Sequence, residues 1–142
     1  MNNSERGLAF LLRIVGAIDL CALGAVLMSD DAMALVHARL GLGELPDAPI
    51  VSYLTRSASA LYALYGALFL LVAADVRRYA PLISLMACAA VVLGATLAGI
   101  DLAAGMPPYW TAIEGPSYLL IGLAMLALQR RVEAWEPNEP AA

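Results

Sequence analysis

The chain contains no lysine: all eight of its basic residues are arginine. Charge of either sign is scarce, at 14% of 142 residues, where a soluble domain carries about a quarter. A chain this poor in charge cannot clothe its surface in polar groups, so lipid is its natural solvent. The net charge of −4 argues against nucleic acid as a partner, because that needs a basic face. Only two cysteines occur, Cys21 and Cys88, both inside apolar runs and without a CxxC pair. Neither a zinc site nor a dithiol redox motif is supported, and both read as small packing residues. A single histidine, His37, lacks the partners that a metal or haem site needs. No nucleophile–base arrangement and no phosphate loop is present, so no catalytic residue, metal ligand or cofactor is assigned.

What the chain has is length of apolar run, 62% of it being hydrophobic. About 20 such residues cross a bilayer as a helix. Four spans are expected, at approximately residues 8–28, 50–74, 81–104 and 116–135, with Trp135 at the water interface. The first carries Arg13 and Asp19 and has no clear A-x-A site before "MSDD"; it reads as a retained helix rather than a secretion signal. The expected fold is an all-α integral membrane protein, a single four-helix transmembrane bundle over residues 1–135. The polar tail "EPNEPAA", residues 136–142, is expected to be disordered.

Orientation follows arginine. Arg6, Arg77, Arg78, Arg130 and Arg131 flank the spans on one side, against Arg39 and Arg56 on the other. Both termini are therefore expected in the cytoplasm. On the outer side, "SDDAMALVHARLGLGELPD" has a capping Ser29 or Asp30, acids in its first turn and Gly41 or Gly43 at its end. It predicts a short helix over Asp30–Leu40 whose Met33, Val36 and Leu40 face lipid or the bundle. His37 within it reads as a solvated or capping residue.

The second outer segment, "GMPPYWTAIEGP", reads as a loop. Gly105 suits the residue after the third helix, Pro107–Pro108 forbid its continuation, and Pro116 suits the first turn of the fourth. Tyr109 and Trp110 belong at headgroup level, and Glu114 meets the positive end of a helix dipole.

Charges within the bilayer cost about 2.5–3.5 kcal/mol on insertion scales and turn toward partners. Steps of three and four from Arg56 reach Ala60, Ala63 and Ala67; from Asp101 they reach Gly94, Ala90 and Ala87. Such small-residue stripes let helices approach closely, so both charges are expected to point inward. Arg56, Asp19, Asp101 and Glu114 form the expected polar cluster, either a site or a structural clamp. Arg56 is expected to bond Asp19 or Asp101 first, Glu114 otherwise, and carbonyls of the "GMPPYWTAIEGP" loop. Gly94–Ala98 and Ala95–Gly99 add a small-xxx-small helix-contact signal.

The stretches "LLRIVGAIDL", "YLTRSASALYALYGALFL", "ADVRRYAP" and "GMPPYWTAIEGP" together resemble small four-helix bacterial membrane proteins of the broad DoxX-like kind. The resemblance covers the four spans and implies a multi-pass protein of the bacterial cytoplasmic membrane; it assigns no activity. Some relatives of that kind are associated with quinone-linked redox chemistry, from which this chain departs by lacking paired cysteines and a cofactor ligand. Three functions follow as expectations. The first is a non-enzymatic subunit or scaffold, packed with itself or a larger membrane complex. The second is an oligomeric carrier or channel for a small solute or proton, and the third a quinone-linked oxidoreductase component. The expected partners are the bilayer and a second copy or another membrane protein.

The arginine bias makes the topology testable by thiol labelling of single cysteines placed at Asn3, Asp47 and Asn138. Position 47 should react with an impermeant reagent from outside intact cells, and positions 3 and 138 only after lysis.

Overall fold

A computed structural model describes residues 2–134; Trp135 and the tail after it lie outside the described residues. The described chain is helical, with no strand. Its elements are α1 (Asn3–Leu20), α2 (Leu23–Leu27), α3 (Asp30–Arg39), α4 (Pro49–Val72), α5 (Ala80–Ala104) and α6 (Pro108–Glu133). Four helices are long and apolar enough to cross a membrane: Asn3–Leu27, taking α1 and α2 together, then α4, α5 and α6. The chain divides into two compact units, residues 12–71 and residues 2–11 with 72–134.

In the unit of residues 12–71, α1 and α4 meet at glycine. A Cβ on Gly66 would lie 2.6 Å from the carbonyl oxygen of Gly16, and one on Gly16 would lie 2.8 Å from that of Gly66. Each glycine thus admits the other helix to backbone contact, the close approach that small residues permit. The helices run antiparallel, since Leu20 lies by Gly66 and Leu70 by Gly16. Past this contact α1 tightens: Ala22, Gly24 and Ala25 donate to the carbonyls three residues back. Such 3₁₀-type bonds mark the step from α1 to α2.

α3 forms as its sequence predicts, one residue shorter. The Ser29 hydroxyl accepts from the Ala32 amide at 3.3 Å, and Asp30 and Asp31 fill the first turn. Gly41 and Gly43, at φ +69° and +87°, take the chain out of the helix in a conformation that side chains rarely adopt. Of the three apolar positions expected to face lipid or the bundle, Met33 is buried, and Val36 and Leu40 are exposed.

In the other unit, α5 and α6 repeat the glycine device. Gly94 and Gly115 face each other, a Cβ on either reaching the opposite carbonyl oxygen at 2.6–2.7 Å. Two turns away Gly122 sits against the Ala87 carbonyl. The seven-residue step on both helices keeps one antiparallel register. Gly94 and Ala98 thus use the small-residue signal, whereas Gly99 has nothing within 4 Å.

The start of α6 differs from expectation. The helix begins at Pro108 rather than at Pro116, so only Gly105–Pro107 separates it from α5. Gly105 ends α5 at φ +67°, with Met106 donating to the Asp101 carbonyl at 3.0 Å. Pro107 and Pro108 both stop one helix and start the next, because the first amides of a helix need no intrahelical acceptor. Pro116 then lies inside α6. Its missing N–H leaves one carbonyl to be satisfied otherwise, which transmembrane helices tolerate where neighbours pack closely; its neighbour Gly115 is at the seam.

The tightness of the seam predicts its sensitivity. Gly66→Ala must move a backbone and should lower stability by about 1–3 kcal/mol, the usual cost of overpacking. Gly99→Ala, in open space within a helix, should leave stability unchanged or raise it by up to about 1 kcal/mol. Thermal unfolding of the two variants in one detergent provides the comparison.

Candidate functional site

Arg56 is the hub of the 12–71 unit. It stands in the second turn of α4, one turn after Ser52, and its side chain is one-third exposed. Nη1 donates to the Val26 carbonyl at 2.6 Å, Nη2 to Asp30 Oδ1 at 2.8 Å, and Nε to Ser52 Oγ at 3.1 Å. Ser52 Oγ in turn donates to the same Asp30 oxygen at 2.9 Å. One guanidinium therefore ties three elements. It caps a carbonyl that the end of α2 leaves without an intrahelical donor. It pairs with the first residue of α3, and it is braced by its own helix.

The partners are not those expected. Within its own unit the partner is Asp30 rather than Asp19, and Val26 supplies the carbonyl. The reason for Asp19 is register. A Cβ on Gly66 would lie 3.1 Å from the Asp19 carbonyl carbon. Gly66 is ten residues along α4 from Arg56, about 15 Å at 1.5 Å per residue. The glycine seam therefore keeps the two charges apart along the helix pair. Asp19 is half-buried and makes no side-chain hydrogen bond among the described residues.

Asp101 and Glu114 belong to the other unit. Asp101 is 4% exposed, on the α5 face that also buries Ala87, Ala90 and Gly94, as the stripe predicts. Its Oδ2 has no hydrogen-bond partner among the described residues. Glu114 accepts the indole N–H of Trp110 at 2.5 Å, an i,i+4 link within the first turns of α6. Tyr109 and Trp110 are thus helical rather than in a loop. His37 Nδ1 lies 3.0 Å from the Gly43 carbonyl oxygen, so this nitrogen carries the proton and closes the turn after α3.

One polar centre was missed altogether. Asn2 and Glu5 form a capping box: the Asn2 amide donates to Glu5 Oε2 at 3.0 Å, and the Glu5 amide to Asn2 Oδ1 at 2.8 Å. The buried Glu5 carboxylate also receives Nε of Arg77, from the turn between α4 and α5. The N-x-x-E spacing at the chain start was the available signal; the partner 72 residues on had none. Among the described residues no three of His, Cys, Asp and Glu gather as a metal-ligand set.

Hydrogen bonds from Arg56 and Ser52 hold the Asp30 carboxyl below its ordinary value near 3.8. A depressed carboxyl stabilises the fold above its unfolded value and ceases to as pH falls through its folded one. Asp30→Asn should therefore lower the thermal midpoint at pH 7, and the gap from wild type should close below about pH 4. Unfolding in detergent across pH checks both sign and window.

No family model matches the chain, and neither a curated protein nor a solved structure is similar to it.

Proposed function

We propose that the chain is a non-enzymatic, multi-pass subunit of a bacterial cytoplasmic membrane, of the DoxX-like kind, that packs with itself or a larger membrane complex. In this reading the four long helices form one transmembrane bundle. α3 lies on the outer interface and both termini are cytoplasmic. One observation carries it: only 17–28% of the most apolar window of each long helix is buried within the chain. Ile18, Leu27, Leu61, Leu64, Leu85, Val92, Leu102 and Leu120 are all at least 60% exposed. Apolar surface on that scale calls for lipid or another protein.

Asp101 favours a second reading, a proton or cation carrier. A carboxylate left uncompensated in such a place costs several kcal/mol. A proton or a cationic ligand would compensate it, and intramembrane acids of this sort mark ion pathways. A quinone-linked role rests on resemblance alone.

Native mass spectrometry from lipid nanodiscs should show a dimer, a higher oligomer or a stable heterocomplex. A lone monomer would sink the subunit reading. The second reading expects reconstituted wild type to collapse an imposed pH gradient and Asp101→Asn to leave it standing; a gradient equally stable with both removes it.

A further inference from the structure

Five of the eight arginines gather at one end of the unit formed by residues 2–11 and 72–134. Arg6 is in the first turns of α1, Arg77 and Arg78 lie between α4 and α5, and Arg130 and Arg131 are in the last turns of α6. Two contacts bring these separate segments together: the Glu5–Arg77 ion pair, and Gly7 of α1 facing Leu128 of α6, where a Cβ would be 3.6 Å from Leu128 Cδ2. All five arginines are exposed.

The acids at this end are already engaged. Glu5 is shared between the Asn2 amide and Arg77. Asp75 accepts the Arg78 backbone amide at 3.0 Å, and Glu133 accepts from Gln129 at 3.1 Å. Arg78 lies over the Tyr79 ring, 5.6 Å from its centroid. Arg6, Arg130 and Arg131 make no ion pair among the described residues. Among the described residues, five arginines against Glu5, Asp75 and Glu133 leave +2 here, in a chain whose net charge is −4. The sign is thus concentrated, and in the one residue type whose planar fork grips a phosphate with two parallel hydrogen bonds.

We propose that this end coordinates the phosphate of an anionic glycerophospholipid, with Arg6, Arg130 and Arg131 as its ligands and Tyr79 at headgroup level. The inference rests on the membrane reading above. It goes beyond the topological bias of arginine, which any basic residue would serve equally well. Apolar flanks supply the place for acyl chains: Phe10 is 65% exposed and Leu85 67%. A soluble phosphate would find no use for them.

The purified chain in neutral detergent is titrated with phosphatidylglycerol, phosphatidylcholine or inorganic phosphate, with bound species counted by native mass spectrometry. Three arginines should give phosphatidylglycerol a preference on the order of a hundredfold over phosphatidylcholine. Inorganic phosphate at equal concentration should not displace it. Arg6→Gln/Arg130→Gln/Arg131→Gln should abolish the preference. The matching triple lysine variant keeps the charge but not the bidentate fork, and should show a preference several-fold weaker than wild type. Equal binding of the two lipids by wild type overturns the proposal, as does an undiminished preference in the lysine variant. Displacement by inorganic phosphate overturns the lipid assignment. Recovery of the chain in the soluble fraction without detergent would instead remove the membrane reading, a separate result.

Discussion

Backbone-to-backbone contact at paired glycines is the constraint on which the arrangement of each unit depends. Gly16 meets Gly66, and Gly94 meets Gly115, each pair within a distance that no Cβ could share. Hydrophobic burial does not discriminate among helix pairings when the surroundings are themselves apolar. Shape does, and a glycine opposite a glycine sets one register along both helices. In the α5–α6 pair the register recurs two turns on, where Gly122 meets Ala87. Where the charged side chains end up follows from those registers.

Arg56 illustrates the consequence. With α1 and α4 seated at Gly16 and Gly66, the chain leaves α1 through a tightened turn and a five-residue α2. Val26 then presents a carbonyl, and Asp30 a carboxylate, to the second turn of α4. An arginine has enough donors in one plane to serve carbonyl, carboxylate and hydroxyl together. It is a clasp across a change of chain direction, and Ser52 completes it by bonding both charges. Asp101 is the opposite case: buried, on a seam face, with an oxygen left unpartnered among the described residues. The first arrangement closes on itself, and the second asks for something more.

The ends of the 2–11 and 72–134 unit differ in the same physical terms. At one, Glu5 satisfies its own helix terminus and an arginine 72 residues distant. At the other, α5 and α6 are joined by Gly105–Pro107, whose glycine ends α5 and whose proline precedes the first turn of α6. Short connections of this kind leave little backbone outside a helix, which is what an apolar solvent demands.

Local chemistry was readable from the residues themselves. Four long apolar runs, the capped α3, the glycine stop of α5 and the inward face of Asp101 all follow from spacing, because helix periodicity and capping are properties of neighbours in the chain. The partner of Arg56 was not readable, since depth along isolated spans ignores the register that Gly16 and Gly66 impose. Nor was the burial of α4 along Ala63, Gly66, Phe69 and Val72, in place of the Ala60 and Ala67 stripe. The reach of α6 back to Pro108 was hidden because proline both breaks and begins helices. Sequence by itself determined which segments are helical, which are apolar and where charge is scarce. Tertiary structure alone decided which charges meet, because that depends on contacts between residues far apart in the chain.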